Sequence, residues 1–356
     1  MYTSISSIIT DSIFLQISGF PHSLHLKLES LNPAGSIKLK TACGLVDSAF
    51  ARGLVRRDTV FIESSSGNLG VALAMICAER GLNFTCVIDP NCSSVNESAM
   101  RAFGASIVKV TEKDSNGGYL GSRISYIERK VAEDPRHLWL NQYENLANPE
   151  VHSRLTAASI ARSFDRIDYL FVGAGTTGTL MGCLDYFCRN RPETRIVAVD
   201  SIGSVTFGSP PSPRYIPGLG TSQLPAIFSP GNRLHAVEMI PEAQAVLMCR
   251  HMARHQGVLI GGSTGTVLAG VHAWRDRIAD DAVVVAISPD WGDRYLATVY
   301  DDIWVTERFG RDVLSGDLTQ MSRHHSHTLA FVQGGQPPRR APVDPAPFLP
   351  QVRSAV

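Results

Sequence analysis

The chain has 356 residues, 44% of them hydrophobic, and 33 Lys+Arg balance 33 Asp+Glu to a formal net charge of zero. That length can bury the cores of two α/β domains or one large one. Balanced charge supplies no global field for nucleic acid or an anionic membrane, so any anion must be recognised locally. The seven cysteines form no C-x-x-C pair and have no His at metal-like spacing, which fits reduced thiols in a cytoplasm. The N-terminus lacks a basic signal-peptide region, and no apolar run reaches the ~18 residues that span a bilayer.

Taken in chain order, the first informative segment is Asn32-Pro33-Ala34-Gly35-Ser36-Ile37-Lys38. Pro33 and Gly35 make a turn, Ser36 suits a helix N-cap, and Lys38 falls in the first helical turn. A helix N-terminus and desolvation both lower an amine's pKa, and a partly neutral lysine is what Schiff-base chemistry requires. Alone, the segment reads equally as a surface lysine early in a helix.

Residues 59–62 (TVFI) read as a strand and residues 69–80 as a helix. Between them lies Glu63-Ser64-Ser65-Ser66-Gly67-Asn68-Leu69-Gly70, whose hydroxyls, amide and backbone N–H groups at a helix start make an anion site. It suits the carboxylate of an amino acid, and Asn68 could reach a cofactor's phenolic oxygen. The ordinary alternative is a capped turn. Strands follow at residues 84–89, 107–110, 169–172, 196–200 and 283–288, with helices at 179–189 and 241–255. This alternation predicts α/β architecture with mostly parallel sheets flanked by helices.

Gly173-Ala174-Gly175-Thr176-Thr177-Gly178-Thr179 links a strand to a helix and forms a phosphate cradle. It also fits G-x-G-x-x-G, with Asp200 ending the next strand, so a nicotinamide-dependent dehydrogenase competes. That alternative gives no role to Lys38 or the serine-rich turn. Residues 201–230, rich in Gly, Pro and Ser, read as a long ordered excursion. At Gly261-Gly262-Ser263-Thr264-Gly265 a hydroxyl could face a pyridine nitrogen, although a helix cap is the simpler reading of that turn. The pattern dissolves after Asp317, where a patch with His324, His325 and His327 precedes six prolines, so residues 317–356 are expected to be a disordered tail.

Together these segments, from about Ser23 to Trp304, resemble the fold-type II pyridoxal-phosphate family of cysteine synthases. NPAGSIK is similar to the family's N-P-x-x-S-x-K, SSGNLG to T-S-G-N-T-G, and GTTGT to its GTGGT phosphate loop. Residues 289–296 (PDWGDRYL) resemble its late P-x-x-G-x-R-Y-L signature. The resemblance implies pyridoxal 5'-phosphate (PLP) on Lys38, contacted by Asn68, Gly175, Thr176, Thr177, Gly178, Thr179 and Ser263. Amino-acid substrates would meet Ser65, Ser66, Gln142 and Tyr143, and Arg123 or Arg214 would receive a leaving phosphate. A tryptophan synthase β-like pair of domains is implied: residues 1–40 with 146–316 form the larger, and 41–145 the smaller, mobile one. A homodimer is implied on the same ground.

Within the family, Leu69 and Tyr143 resemble a branch that joins O-phospho-L-serine to the amine of L-glutamate, feeding 2,3-diaminopropionate into a siderophore or peptide natural product. Gly175 instead matches the cysteine synthases, where that branch tends to have Ser, and so keeps sulfide open as the nucleophile. The family's early G-x-T-P segment is absent, and residues 10–17 read TDSIFLQI. A PLP-binding regulator without turnover would show the same cofactor motifs.

Overall fold

The computed structural model describes residues 2–115, 117–231, 233–321 and 327–329. After a short 3-10 turn, β1 (Phe14–Ile17) and β2 (Ser23–Leu28) lead to α1 (Lys38–Ala51). Then come β3 (Val60–Ser64), α2 (Asn68–Glu79), β4 (Asn83–Ile88), α3 (Ser94–Ala102), β5 (Ser106–Lys109), α4 (Leu120–Glu133) and β6 (His137–Trp139). The chain continues through α5 (Ala147–Val151), a π turn (His152–Ala157) and α6 (Ala158–Ser163) into β7 (Tyr169–Gly173), α7 (Gly178–Asn190) and β8 (Arg195–Ser201). Last are β9 (Ala236–Ile240), α8 (Glu242–His251), α9 (Gly262–Ala273), β10 (Val283–Ser288), α10 (Asp302–Phe309) and β11 (His327–Leu329).

The strands form a seven-stranded sheet, ordered β1-β2-β10-β7-β8-β9-β11, and a four-stranded sheet, ordered β5-β4-β3-β6. The smaller sheet is wholly parallel, and the larger is parallel except where β1 and β11 pair at its edges. The expected α/β architecture is therefore present. Each expected strand has its counterpart. After Ser201, which ends β8, residues 202–230 contain neither helix nor strand, yet Ile216, Leu219 and Ile227 are buried, so this excursion packs into the protein.

Two helices are apolar all round and sit in the two cores. Every residue from Leu69 to Cys77 of α2 is buried, as is every residue from Gly262 to Val271 of α9. A helix with no polar face must be enclosed on all sides. Its N-terminus is then fixed firmly, and both helices begin at turns singled out for chemistry. A buried ion cluster secures α1. Lys40 pairs with Glu29 at 2.7 Å and with Asp11, while Lys27 pairs with Asp11 at 3.1 Å and with Glu29 at 3.4 Å. Breaking such a set would strand a charge away from water, at a cost of about 3–5 kcal/mol.

Two expected boundaries shift. Ser4 and Ser6 both bond Glu79 at the end of α2, and Ile9 packs on the small-sheet core, so the first residues lie with the smaller half rather than the larger. Disorder does not begin at Asp317: Leu318–Gln320 is a 3-10 turn, Met321 is buried, and β11 pairs antiparallel with β9. Pairing covers an edge that would otherwise be exposed. His324, His325 and the Pro-rich run lie outside the described residues. No helix among the described residues is long and apolar enough to cross a membrane.

Candidate active site

Lys38 is the first residue of α1, and its backbone N–H donates to Ser36 Oγ at 3.3 Å. The residue is half-buried. Burial lowers the amine to about 8, opposed by the nearby Glu63 carboxylate, which raises it. A neutral amine is thus populated near neutral pH.

The serine-rich turn closes β3 and opens α2. Ser65 Oγ accepts from Gly67 N–H at 3.3 Å and Gly70 N–H at 3.0 Å, so it caps the helix. Gly70 has no room for a side chain, since a Cβ there would lie 2.6 Å from Met100 Sδ and 2.9 Å from Ser65 O. Ser66 Oγ donates to Asp89 Oδ2 at 2.9 Å and accepts from Arg123 Nη1 at 3.1 Å. Gln142 is pinned beside this turn, its side chain donating to Ser64 O at 3.1 Å and its backbone N–H to Glu63 Oε2 at 3.2 Å. Ser65, Ser66, Gln142 and Arg123, scattered in sequence, therefore meet at the C-terminal end of β3.

Tyr143 follows Gln142. Burial pushes its hydroxyl up to about 12, while the positive charges of Arg123 and Arg214 act on it in the opposite sense. The two arginines thus act electrostatically on one tyrosine from different elements. Arg214 Nη1 donates to Leu219 O at 2.8 Å. Nε of each arginine is buried and has no hydrogen-bond partner among the described residues.

The phosphate cradle opens α7. Thr177 adopts the left-handed conformation at φ 67°, and its buried Oγ1 has no partner among the described residues. A Cβ on Gly178 would fall 2.1 Å from Asn148 Oδ1, and one on Gly175 2.6 Å from Gly218 O. Asn148 Nδ2 donates to Thr176 Oγ1 at 3.2 Å, and its Oδ1 is another buried atom without a partner. Thr179 lies in the first turn of α7. Gly218 also packs against Ser263, with a built Cβ 3.4 Å from Ser263 Oγ. One glycine therefore separates the cradle from the serine at the start of α9. These unspent donors and acceptors, glycine-narrowed approaches and a depressed lysine fit a phosphorylated pyridine aldehyde.

Asn68 is bonded on both sides within the protein. Its Nδ2 donates to Asp290 Oδ2 at 2.7 Å, and its Oδ1 accepts from Arg294. Asp290, Arg294 and Tyr295 are site residues for which the sequence offered only a motif. Glu63 is another: burial pushes its carboxyl up to about 7, against donors from Ser64, Trp139 and Gln142. Asn148 carried no sequence signal. Asp200, the ribose acid of the dehydrogenase alternative, is fully buried and accepts from Ser201 N–H at 2.8 Å, so it offers nothing to a ribose.

Residues 9–290 match the pyridoxal-phosphate dependent enzyme family. An N-(2-amino-2-carboxyethyl)-L-glutamate synthase from Ralstonia nicotianae is 42% identical over 280 residues, covering 78% of this chain and 82% of that protein. The structure of an O-ureido-L-serine synthase superposes with a TM-score of 0.78 at 30% identity, covering 86% of this chain and 99% of the other. An O-acetylserine dependent cystathionine beta-synthase from Helicobacter pylori gives 0.78 at 26% identity, covering 84% and 98%. The chain belongs to the pyridoxal-phosphate dependent enzymes, as a β-replacement enzyme of the cysteine-synthase type that uses PLP.

Proposed function

We propose that this protein joins O-phospho-L-serine to the α-amine of L-glutamate, giving N-(2-amino-2-carboxyethyl)-L-glutamate and phosphate. The product would supply 2,3-diaminopropionate for a siderophore or peptide natural product. The observation that carries this reading is Arg123 on Ser66 of the serine turn, with Arg214 close enough to act electrostatically on Tyr143, each arginine keeping a buried Nε–H without a partner among the described residues. A phosphate leaving group and an acceptor with two carboxylates both call for cations, and arginine suits such oxyanions.

Lys38 would hold the cofactor, with Gly175–Thr179 at its phosphate, Ser263 at its ring nitrogen and Asn68 at its phenolic oxygen. When bound, PLP supplies an electron sink for the charge left at Cα. The Lys38 amine takes the α-proton and later returns it to Cα. The first amides of α2, with Ser65, Ser66 and Gln142, orient the substrate carboxylate, because opening N–H groups of a helix have no partner within it. Arg123 and Arg214 receive the phosphate as the Cβ–O bond breaks; the neutral glutamate amine then bonds Cβ and releases one proton to solvent. Tyr143 stays protonated and can donate a hydrogen bond to the incoming acid.

Gly175 favours a second reading, with sulfide attacking Cβ in a cysteine synthase using O-phosphoserine or O-acetylserine. Incubating the protein and PLP with O-phosphoserine plus glutamate, and separately plus sulfide, then weighing the products, separates the two. A cysteine product with no glutamate adduct overturns the glutamate assignment. Bleaching of the bound cofactor without phosphate release would point to a non-catalytic PLP-binding regulator.

A further inference from the structure

The PDWGDRYL segment lies after β10 and has no part in the chemistry above. Its backbone is stitched to the lysine loop: Ile37 N–H donates to Pro289 O at 2.8 Å, and Ser36 bridges Asp290. Its side chains reach further. Arg294 Nη2 donates to Ala34 O at 2.7 Å, and Nη1 donates to Asn68 Oδ1. Only glycine at position 35 permits this approach, since a Cβ there would lie 2.9 Å from Arg294 Nη2. Asp290 is buried, and its Oδ2 accepts from both Asn68 Nδ2 and Tyr295 OH.

These contacts determine which way the Asn68 amide faces. A guanidinium can only donate, so the amide oxygen must point to Arg294. The amide nitrogen is then committed to Asp290, which leaves one of its N–H groups for a ligand. Asn68 opens α2 over the small sheet, whereas Asp290 and Arg294 follow β10 of the large sheet. We infer that Arg294 and Asp290 are positioning residues: they clamp the Asn68 amide in one orientation and tie it to the Lys38 loop, so that Asn68 presents an N–H, never its carbonyl, to the phenolic oxygen of the cofactor. This rests on the reading of Lys38 as the cofactor's anchor, with Asn68 beside that oxygen.

A hydrogen bond to the phenolic oxygen alters where the cofactor's proton resides, and hence its visible absorption. The test compares spectra of PLP-loaded wild type, Arg294→Met, Arg294→Lys, Asn68→Ala and the Asn68→Ala/Arg294→Met double variant. Borohydride reduction and peptide mass report whether PLP is on Lys38. Arg294→Met should change the ratio of the two visible bands by about tenfold, the scale of one charge-assisted hydrogen bond. Arg294→Lys should restore part of the wild-type ratio, and the double variant should match Asn68→Ala alone. If Arg294→Met keeps the wild-type spectrum with PLP on Lys38, the clamp is wrong. It is equally wrong if its effect adds in full to that of Asn68→Ala. Should Arg294→Met not fold, Asp290→Ala, which leaves Asn68 Nδ2 no acceptor at that position, serves instead, and an unchanged spectrum there overturns the proposal. Wild-type protein with no PLP on Lys38 would overturn the anchor reading itself.

Discussion

Two strand-to-helix turns, proposed to serve the same lysine, are built in opposite ways. The turn between β3 and α2 has its side chains spent within the protein: Ser65 caps α2, Ser66 joins Asp89 to Arg123, and Asn68 is held by Asp290 and Arg294. The loop between β7 and α7 keeps a donor in reserve, with the Thr177 hydroxyl buried and unpartnered among the described residues. The contrast follows from what each would bind. A phosphate brings enough acceptor oxygens to satisfy a preformed cradle, so donors can wait for it. An amino-acid carboxylate arrives and departs in every cycle, and a turn braced by the protein keeps its shape between visits.

Variants can break or sharpen this contrast. The largest effect belongs to the residue both turns share. Lys38→Ala should slow phosphate release from O-phosphoserine by roughly 10³-fold, measured as inorganic phosphate, because it removes the general base.

Next comes Glu63, beneath the braced turn. Its folded pKa of about 7 lies above the ordinary 4.5, so the folded state binds more protons than the unfolded one between those values. Stability should therefore fall as pH rises from about 4.5 to about 7, by roughly 3 kcal/mol. Glu63→Gln should flatten that slope in urea titrations. A wild-type stability that rises through the same window would show the carboxyl to be ionised.

Gly178→Ala probes the cradle. Asn148, which the new Cβ would strike, is held by Gln142 O and Thr176. The variant should lose about 2 kcal/mol of stability and much of the shift in Tm that PLP confers. An unaltered shift would mean that Asn148 can swing aside.

Ser66→Ala should have the smallest effect. It removes the hydroxyl shared by Arg123 and Asp89, which already pair at 3.2 Å, and should raise KM for O-phosphoserine about tenfold with kcat less affected. Cofactor affinity should stay unchanged, which would set the braced turn apart from the cradle.

Much of this was legible in the chain. Three strands of each sheet announced themselves as β-branched runs, while β1, β2, β6 and β9 did not, and helices apolar on every side could only be core helices. The glycines and hydroxyls of residues 173–179 followed a local rule, since one turn supplies the whole phosphate cradle. The strand partner of the C-terminal segment was not legible: a three-residue strand such as β11 carries no periodicity, and only the open edge of β9 gives it a place. Nor was the packing of the first residues on α2, which depends on Glu79, more than seventy positions away.

The sequence by itself determined the cofactor chemistry, because Lys38, the serine turn, the cradle and Ser263 each sit at a helix start where backbone polarity and side-chain type act locally. Tertiary structure alone decided how those pieces work together. It placed Arg123 on Ser66, brought Arg214 within range of Tyr143, and pressed Gly218 between Gly175 and Ser263. It also turned the Asn68 amide toward Asp290 and Arg294, more than two hundred residues away. The Asn68 contacts join elements from two different sheets, the others join distant segments of the chain, and in both cases the partners are set by how the elements pack, which no local pattern of residues encodes.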